Sequence, residues 1–258
     1  MIPLSDENPT LRTPVMTYAI LAGMIGMWVF VQGAGMNPEA LITSVCNLGM
    51  VPGEITGRAR IGTGIPISET AACLIDDEPI NKFTPFISMF LHGSWGHLLG
   101  NALFFWVFGN NVEDSMGRFR FLAFYLLCGL AADAAHIFVD PVSPVPTVGA
   151  SGAISGVLGG YLLLYPRVNV RTFIPPLFIV NMRAWFMLGW WFLWQVLGGL
   201  PQLSPVDPEV SSGVAFWAHV GGFVAGLVLI KFFENREIVR RRTAVADARD
   251  VFDPRFSR

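Results

Sequence analysis

Gly149-Ala150-Ser151-Gly152-Ala153-Ile154-Ser155-Gly156 is the stretch that decides the fold. The proline-rich run from Pro141 to Val148 leads straight into it, and proline cannot continue a helix. The spacing therefore predicts a helix that begins at about Ser151 and ends near Tyr165-Pro166. Ser151, Ser155 and Gly159 recur at i, i+4, and so do Gly152 and Gly156. Small residues take this pattern where helices touch inside a membrane. The serine has two readings. It can be an ordinary helix cap. It can also be a nucleophile, because a helix start offers free N–H groups and a positive dipole end to a developing oxyanion. The nucleophile turn of soluble hydrolases is absent, since Ala153 stands where G-x-S-x-G needs its last glycine.

The composition places that helix in a bilayer. Of 258 residues, 53% are hydrophobic and 14% charged, with 21 Phe and 8 Trp; soluble domains average about 25% charged. Mean hydropathy is +0.52. Six apolar segments are predicted, at 15–32, 94–110, 119–139, 151–166, 184–200 and 214–233. Each is near the ~20 residues that cross the hydrocarbon, the fourth being short. The start of the chain has no basic region before its apolar run and no small-residue cleavage site after it, so the first segment is expected to be retained.

Basic residues orient the chain. The segments 134–150 and 200–213 have none, whereas 167–183 holds Arg167, Arg171 and Arg183. Arg118 and Arg120 follow the second segment, and the tail from Lys231 onward is strongly basic. The positive-inside rule then puts both termini in the cytoplasm. Three regions are expected: a cytoplasmic N-terminus (1–13), a six-helix core (14–233) with a long outer first loop (33–91), and a basic cytoplasmic tail (234–258), with Arg240-Arg241-Arg242 at anionic headgroups. The first loop should hold a short amphipathic helix between Asn37 and Val51, then an exposed insertion at 53–80.

This orientation brings polar residues from three segments to one leaflet, where they are expensive and read as function by default. On the sixth segment His219 shares a face with Gly222 and Gly226, small enough to meet the small face after Ser151. A histidine there could take the serine proton; it could also be a histidine bonded between helices. His97 and Asn101 are i, i+4 on the second segment, and His92 precedes them. Both His97 and Asn101 could donate to an oxyanion. A metal site is the competing reading, but H-E-x-x-H is absent and no carboxylate lies nearby in sequence. Asp133 has no second aspartate to face, and it reads with His136 as an interfacial or packing residue. Cys128 reads as buried and inert, whereas Cys46 and Cys73 share the outer loop, where oxidation is possible. Trp185, Trp190, Trp191 and Trp194 read as lipid and interface anchors.

With these motifs together, the chain resembles the rhomboids, intramembrane serine proteases of a bacterial or archaeal six-span type. The likeness rests on His92-x4-His97-x3-Asn101, on Gly149-Ala150-Ser151-Gly152, on Ala218-His219 with Gly222 and Gly226, and on Asn110-Asn111-Val112-Glu113 with Gly117. It implies Ser151 as nucleophile and His219 as its base, with no acidic third member. It implies His97, Asn101 and the Ser151 N–H as the oxyanion hole, His92 as support, and Glu113 as the holder of the inner turn. It implies transmembrane protein substrates, a site open to the outer side and reachable by water, no metal or cofactor, and no nucleic acid; it leaves the oligomeric state open. Two positions depart from the family pattern. Phe83-Thr84 replaces a Trp-Arg pair that anchors the first loop, and Ser155 replaces a tyrosine that stacks on the catalytic histidine. A non-cleaving, client-binding relative is the alternative; it would be expected to lack the serine or the histidine. A transporter would be expected to show repeats or broken helices.

Overall fold

A computed structural model describes residues 1–67, 72–176, 178–203 and 214–240. Long helices fall on the six predicted segments. They are α1 (Val15–Gly26), α3 (Trp95–Met116), α4 (Arg118–Val139), α5 (Ser151–Leu164), α6 (Ala184–Gly199) and α7 (Phe216–Phe233), with α2 (Pro38–Leu48) inside the first loop. α1 continues as a π-helical turn, Met27–Val31. By length and apolarity, α4 and α7 suffice to cross a bilayer, while Val15–Val31 and α5 are apolar but shorter.

Local chemistry sets the boundaries. Asn37 caps α2 by accepting from the Ala40 N–H, and Pro38 fills the first helical position. Ser94 caps α3 by accepting from the His97 N–H at 3.1 Å. The second segment runs past its expected end at 110, because the polar residues Asn110 to Met116 remain helical and are almost all buried. The turn between α3 and α4 shrinks to Gly117, at φ +88°, so Arg118 and Arg120 open α4 rather than forming a loop.

An all-α fold is corrected here. Asn169–Ile174 and Phe178–Arg183 form a hairpin, and Ile2–Asp6 adds to it, giving an antiparallel sheet with Ile2–Asp6 (β1), Asn169–Ile174 (β4) and Phe178–Arg183 (β5) in the order β1-β4-β5. Residues 169–174 alternate, with Val170 and Thr172 facing the core and Arg171 facing out. The N-terminal region is therefore a built part of the fold. Asp6 accepts from Asn111 Nδ2 (2.8 Å) and Tyr161 Oη (2.5 Å), and Arg12 pairs with Asp114 at 3.0 Å.

The first loop is ordered by cross-links. Cys46 and Cys73 are disulfide-bonded, with Cα atoms 5.0 Å apart. The expected insertion holds a short hairpin, β2 (Gly64–Pro66) with β3 (Ala72–Leu74), and buries Ile75. The backbones of Met50 and Thr147 bond in both directions at 2.8 and 2.9 Å, and the Gly53 N–H donates to Ser143 O at 2.9 Å. At the Phe83-Thr84 departure, Phe83 is exposed, and Thr84 is buried with its hydroxyl donating to Asn81 O. Arg241, Arg242 and the rest of the tail lie outside the described residues; Arg240 is exposed.

α5, α7 and α4 pack tightly at the centre. A Cβ on Gly222 would overlap the Gly152 carbonyl oxygen, and one on Gly226 would overlap that of Gly156. A Cβ on Gly156 would overlap Cys128 of α4. The small-residue pattern seen in the sequence is thus a seam where backbones touch.

Candidate active site

That seam places Ser151 against His219. Ser151 is the first residue of α5 and Ala150 its N-cap, so the capping reading does not hold; the helix start has no side-chain cap. The Ser151 Oγ instead lies 2.7 Å from His219 Nε2. Ser151 and His219 are both half-buried, which leaves the pair partly accessible.

His97 and Asn101 close round the turn before the serine. Gly149 sits at φ +126°, where side chains are rarely tolerated. A Cβ there would also lie 2.6 Å from His97 Cε1 and Nε2, and 3.6 Å from Asn101 Nδ2. Glycine is needed twice over, for the turn and for the approach of the ring. The Gly93 N–H points at His97 Nδ1 (3.5 Å), which leaves Nε2 as the ring's donor. Asn101 is buried, and its Nδ2 has no partner among the described residues. A buried amide without a partner is costly and invites an explanation.

His92 stands behind this pair. It is fully buried, and its ring meets His97 edge-on at 5.2 Å. Its backbone is clasped by Gln32, which accepts from the His92 N–H and donates to the His92 carbonyl, both at 2.8 Å. Gln32 joins the end of the first apolar segment to the site. It went unread in the sequence, where it is one polar residue at a span end.

Glu113 ties the end of α3 to the start of α1. Its carboxylate accepts from the Met16 N–H (2.9 Å), the Thr17 N–H (2.7 Å) and the Thr17 hydroxyl (2.8 Å), capping α1 from another helix.

His219 is held differently from the tyrosine-stacked pattern. Ser155 turns back onto Ser151 O at 2.6 Å. Two residues of α6 take the histidine instead: Gln195 Oε1 is 2.8 Å from Nδ1, and the Trp191 ring lies 5.9 Å from the imidazole. Neither was singled out for this part. Trp185, Trp190 and Trp194 are exposed, in keeping with lipid anchoring, while Trp191 turns inward to His219 and Phe223. Asp133 Oδ2 and His136 Nδ1 are buried without partners among the described residues, and Cys128 is buried and free.

A serine bonded to an imidazole, at a helix start lined by side-chain donors, can perform nucleophilic acyl transfer. The class this defines is a mostly helical, strongly apolar protein with a serine–histidine pair at a helix start. A rhomboid-domain family model matches residues 81–236, more than half the sequence, and the chain belongs to the rhomboid family. Members of that family are integral membrane proteins, typically serine proteases. The chain is 26% identical over 170 residues to Rhomboid protein 1, mitochondrial, of Saccharomyces cerevisiae, covering 64% of this chain and 46% of that protein. It is 32% identical over 162 residues to Rhomboid protease GluP of Bacillus subtilis (55% of this chain, 30% of that protein). It is 27% identical over 156 residues to Rhomboid protease AarA of Providencia stuartii (55% and 53%). The chain thus spans about half or less of the length of these relatives.

Proposed function

We propose that this chain is an intramembrane serine endopeptidase that hydrolyses peptide bonds in or next to the transmembrane segments of other membrane proteins. The observation that supports this best is the 2.7 Å approach of Ser151 Oγ to His219 Nε2 at the start of α5. In this reading Ser151 Oγ attacks a substrate carbonyl while His219 Nε2 takes its proton. The Ser151 N–H, His97 and Asn101 Nδ2 receive the oxyanion. His219 then returns the proton to the leaving amine, and water hydrolyses the acyl-enzyme. A substrate helix must unwind locally to expose a carbonyl, so helix-breaking residues near the cut should favour cleavage.

The six-span topology, with both termini cytoplasmic and the site open to the outer side, is part of the same proposal. Contacts between distant segments support it. β1 pairs with β4, so the N-terminus and residues 169–174 share a side, as an even number of crossings between them requires. Residues 50–53 bond to 143–147, and the Asn235 N–H donates to Ser115 O at 2.9 Å; each pairing joins segments the charge rule puts on one side. The disulfide falls in the loop assigned to the outer, oxidising side.

The test is cleavage of a single-span model substrate by purified protein in liposomes, with labelling by a fluorophosphonate probe. The wild type should cut near the outer surface and label, and Ser151→Ala should do neither while remaining folded. Undiminished turnover in Ser151→Ala would sink the assignment. A folded wild type that neither cuts nor labels would favour the client-binding reading.

A further inference from the structure

We infer that Gln195 is the positioning residue of this site: it fixes which ring nitrogen of His219 carries the hydrogen and leaves the other free for the serine. The inference rests on the Ser151–His219 reading above.

The two ends of the Gln195 amide are told apart by their partners. Its Nε2 lies 3.5 Å from the Trp191 carbonyl, and its Oε1 lies 2.8 Å from His219 Nδ1. A carbonyl only accepts, so the NH₂ end belongs at Trp191. The amide oxygen then faces Nδ1 and also only accepts, so Nδ1 must carry a hydrogen. A neutral imidazole has one ring N–H. Nε2 is left with its lone pair, 2.7 Å from Ser151 Oγ, in position to accept the hydroxyl proton. The opposite amide orientation would set two acceptors against each other at Trp191. It would also impose the tautomer that cannot accept from serine.

The same bond survives the proton transfer. As the Oγ–H bond breaks and the Nε2–H bond forms, the Oγ electron pair joins the substrate carbonyl carbon and the carbonyl π pair moves to its oxygen. The imidazolium keeps its Nδ1–H on Gln195 Oε1. A neutral amide supplies orientation without a counter-charge, which distinguishes it from a carboxylate in the same place. The other titratable groups that act on His219 are His97 from α3 and His136 from α4. Because Gln195 belongs to α6 and His219 to α7, the bond holds only while those helices stay seated.

The experiment uses the full chain in detergent with ¹⁵N-labelled histidine, the His219 signal being assigned by its loss in His219→Ala. Neutral His219 should be the Nδ1–H tautomer in the wild type, and Gln195→Leu should shift it to a mixture. Gln195→Glu, which keeps the acceptor, should restore it. In cleavage assays Gln195→Leu should lower kcat about tenfold with KM little changed, the scale of one lost hydrogen bond. Gln195→Glu should move the acid limb of the pH profile upward, because a carboxylate favours the imidazolium. A merely structural role would lower folded yield and leave the tautomer and the pH limb unmoved. A wild type already in the Nε2–H form, or a tautomer indifferent to Gln195→Leu, would overturn the inference. The expected tautomer with no fluorophosphonate labelling would instead count against the protease reading and uphold the positioning of His219.

Discussion

Asn101 is the residue whose surroundings ask most directly for a ligand. It is buried, its Nδ2 has no partner among the described residues, and it lies beside the Gly149 turn that leads into Ser151. An amide placed to receive an oxyanion should matter only in the transition state. Asn101→Ala should therefore lower kcat about 100-fold or more while KM changes little, which steady-state cleavage kinetics would measure. A rise in KM at constant kcat would make Asn101 a substrate-binding group instead. Ser151, His219, His97 and Asn101 stood out in the sequence as candidates because polar groups inside apolar segments need a reason, and the structure brings them together. Gln195 did not stand out. It lies in a tryptophan-rich segment that reads as lipid-facing, and its partner is on the next helix, distant in sequence. Periodicity reports the face of a helix; it does not report what stands opposite.

At the scale of elements, the contact between α5 and α7 controls the site. Gly222 and Gly226 meet the carbonyl oxygens of Gly152 and Gly156, so the seam has no room for a side chain. Gly226→Val should destabilise the protein by more than the ~1–3 kcal/mol typical of overpacking, because the obstacle is backbone. Forcing the helices apart should also draw His219 from Ser151 and suppress fluorophosphonate labelling. Gly189→Ala on α6 is the control, since a Cβ there meets nothing within 4 Å. It should label normally and lose no stability, alanine being the better helix former. Equal damage from both changes, in thermal unfolding and in labelling, would refute the seam as the cause. The glycines were readable as a packing face, and they proved to be one. The sheet was not read, although the alternation at 169–174 and the break at Pro175-Pro176 were present. The positive-inside rule uses such a segment only to count charge, and β1 supplies its partner from the far end of the chain.

At the scale of the whole molecule, the first loop is the part held least by helix packing and most by cross-links. The Cys46–Cys73 bond joins α2 to the β2–β3 hairpin, across a sequence separation of 27 residues. The loop is tied in turn to residues 143–147, the strand of chain that delivers Gly149 and Ser151. On chain-entropy grounds, losing a cross-link of this span costs about 3–4 kcal/mol. The double change Cys46→Ser with Cys73→Ser should lower the denaturant midpoint of the purified protein by a corresponding amount. Because the loop also steadies the segment before Ser151, kcat should fall while the wild-type cleavage site is kept. Reductant added from the outer side of sealed proteoliposomes should reproduce the loss, and an impermeant reductant inside them should not. That asymmetry bears on the orientation as well as on the bond. A loop that responds only from the inner side would reverse the assigned topology, and no response from either side, with the thiols shown to be reduced, would mean the hydrogen bonds from 50–53 to 143–147 hold the loop unaided.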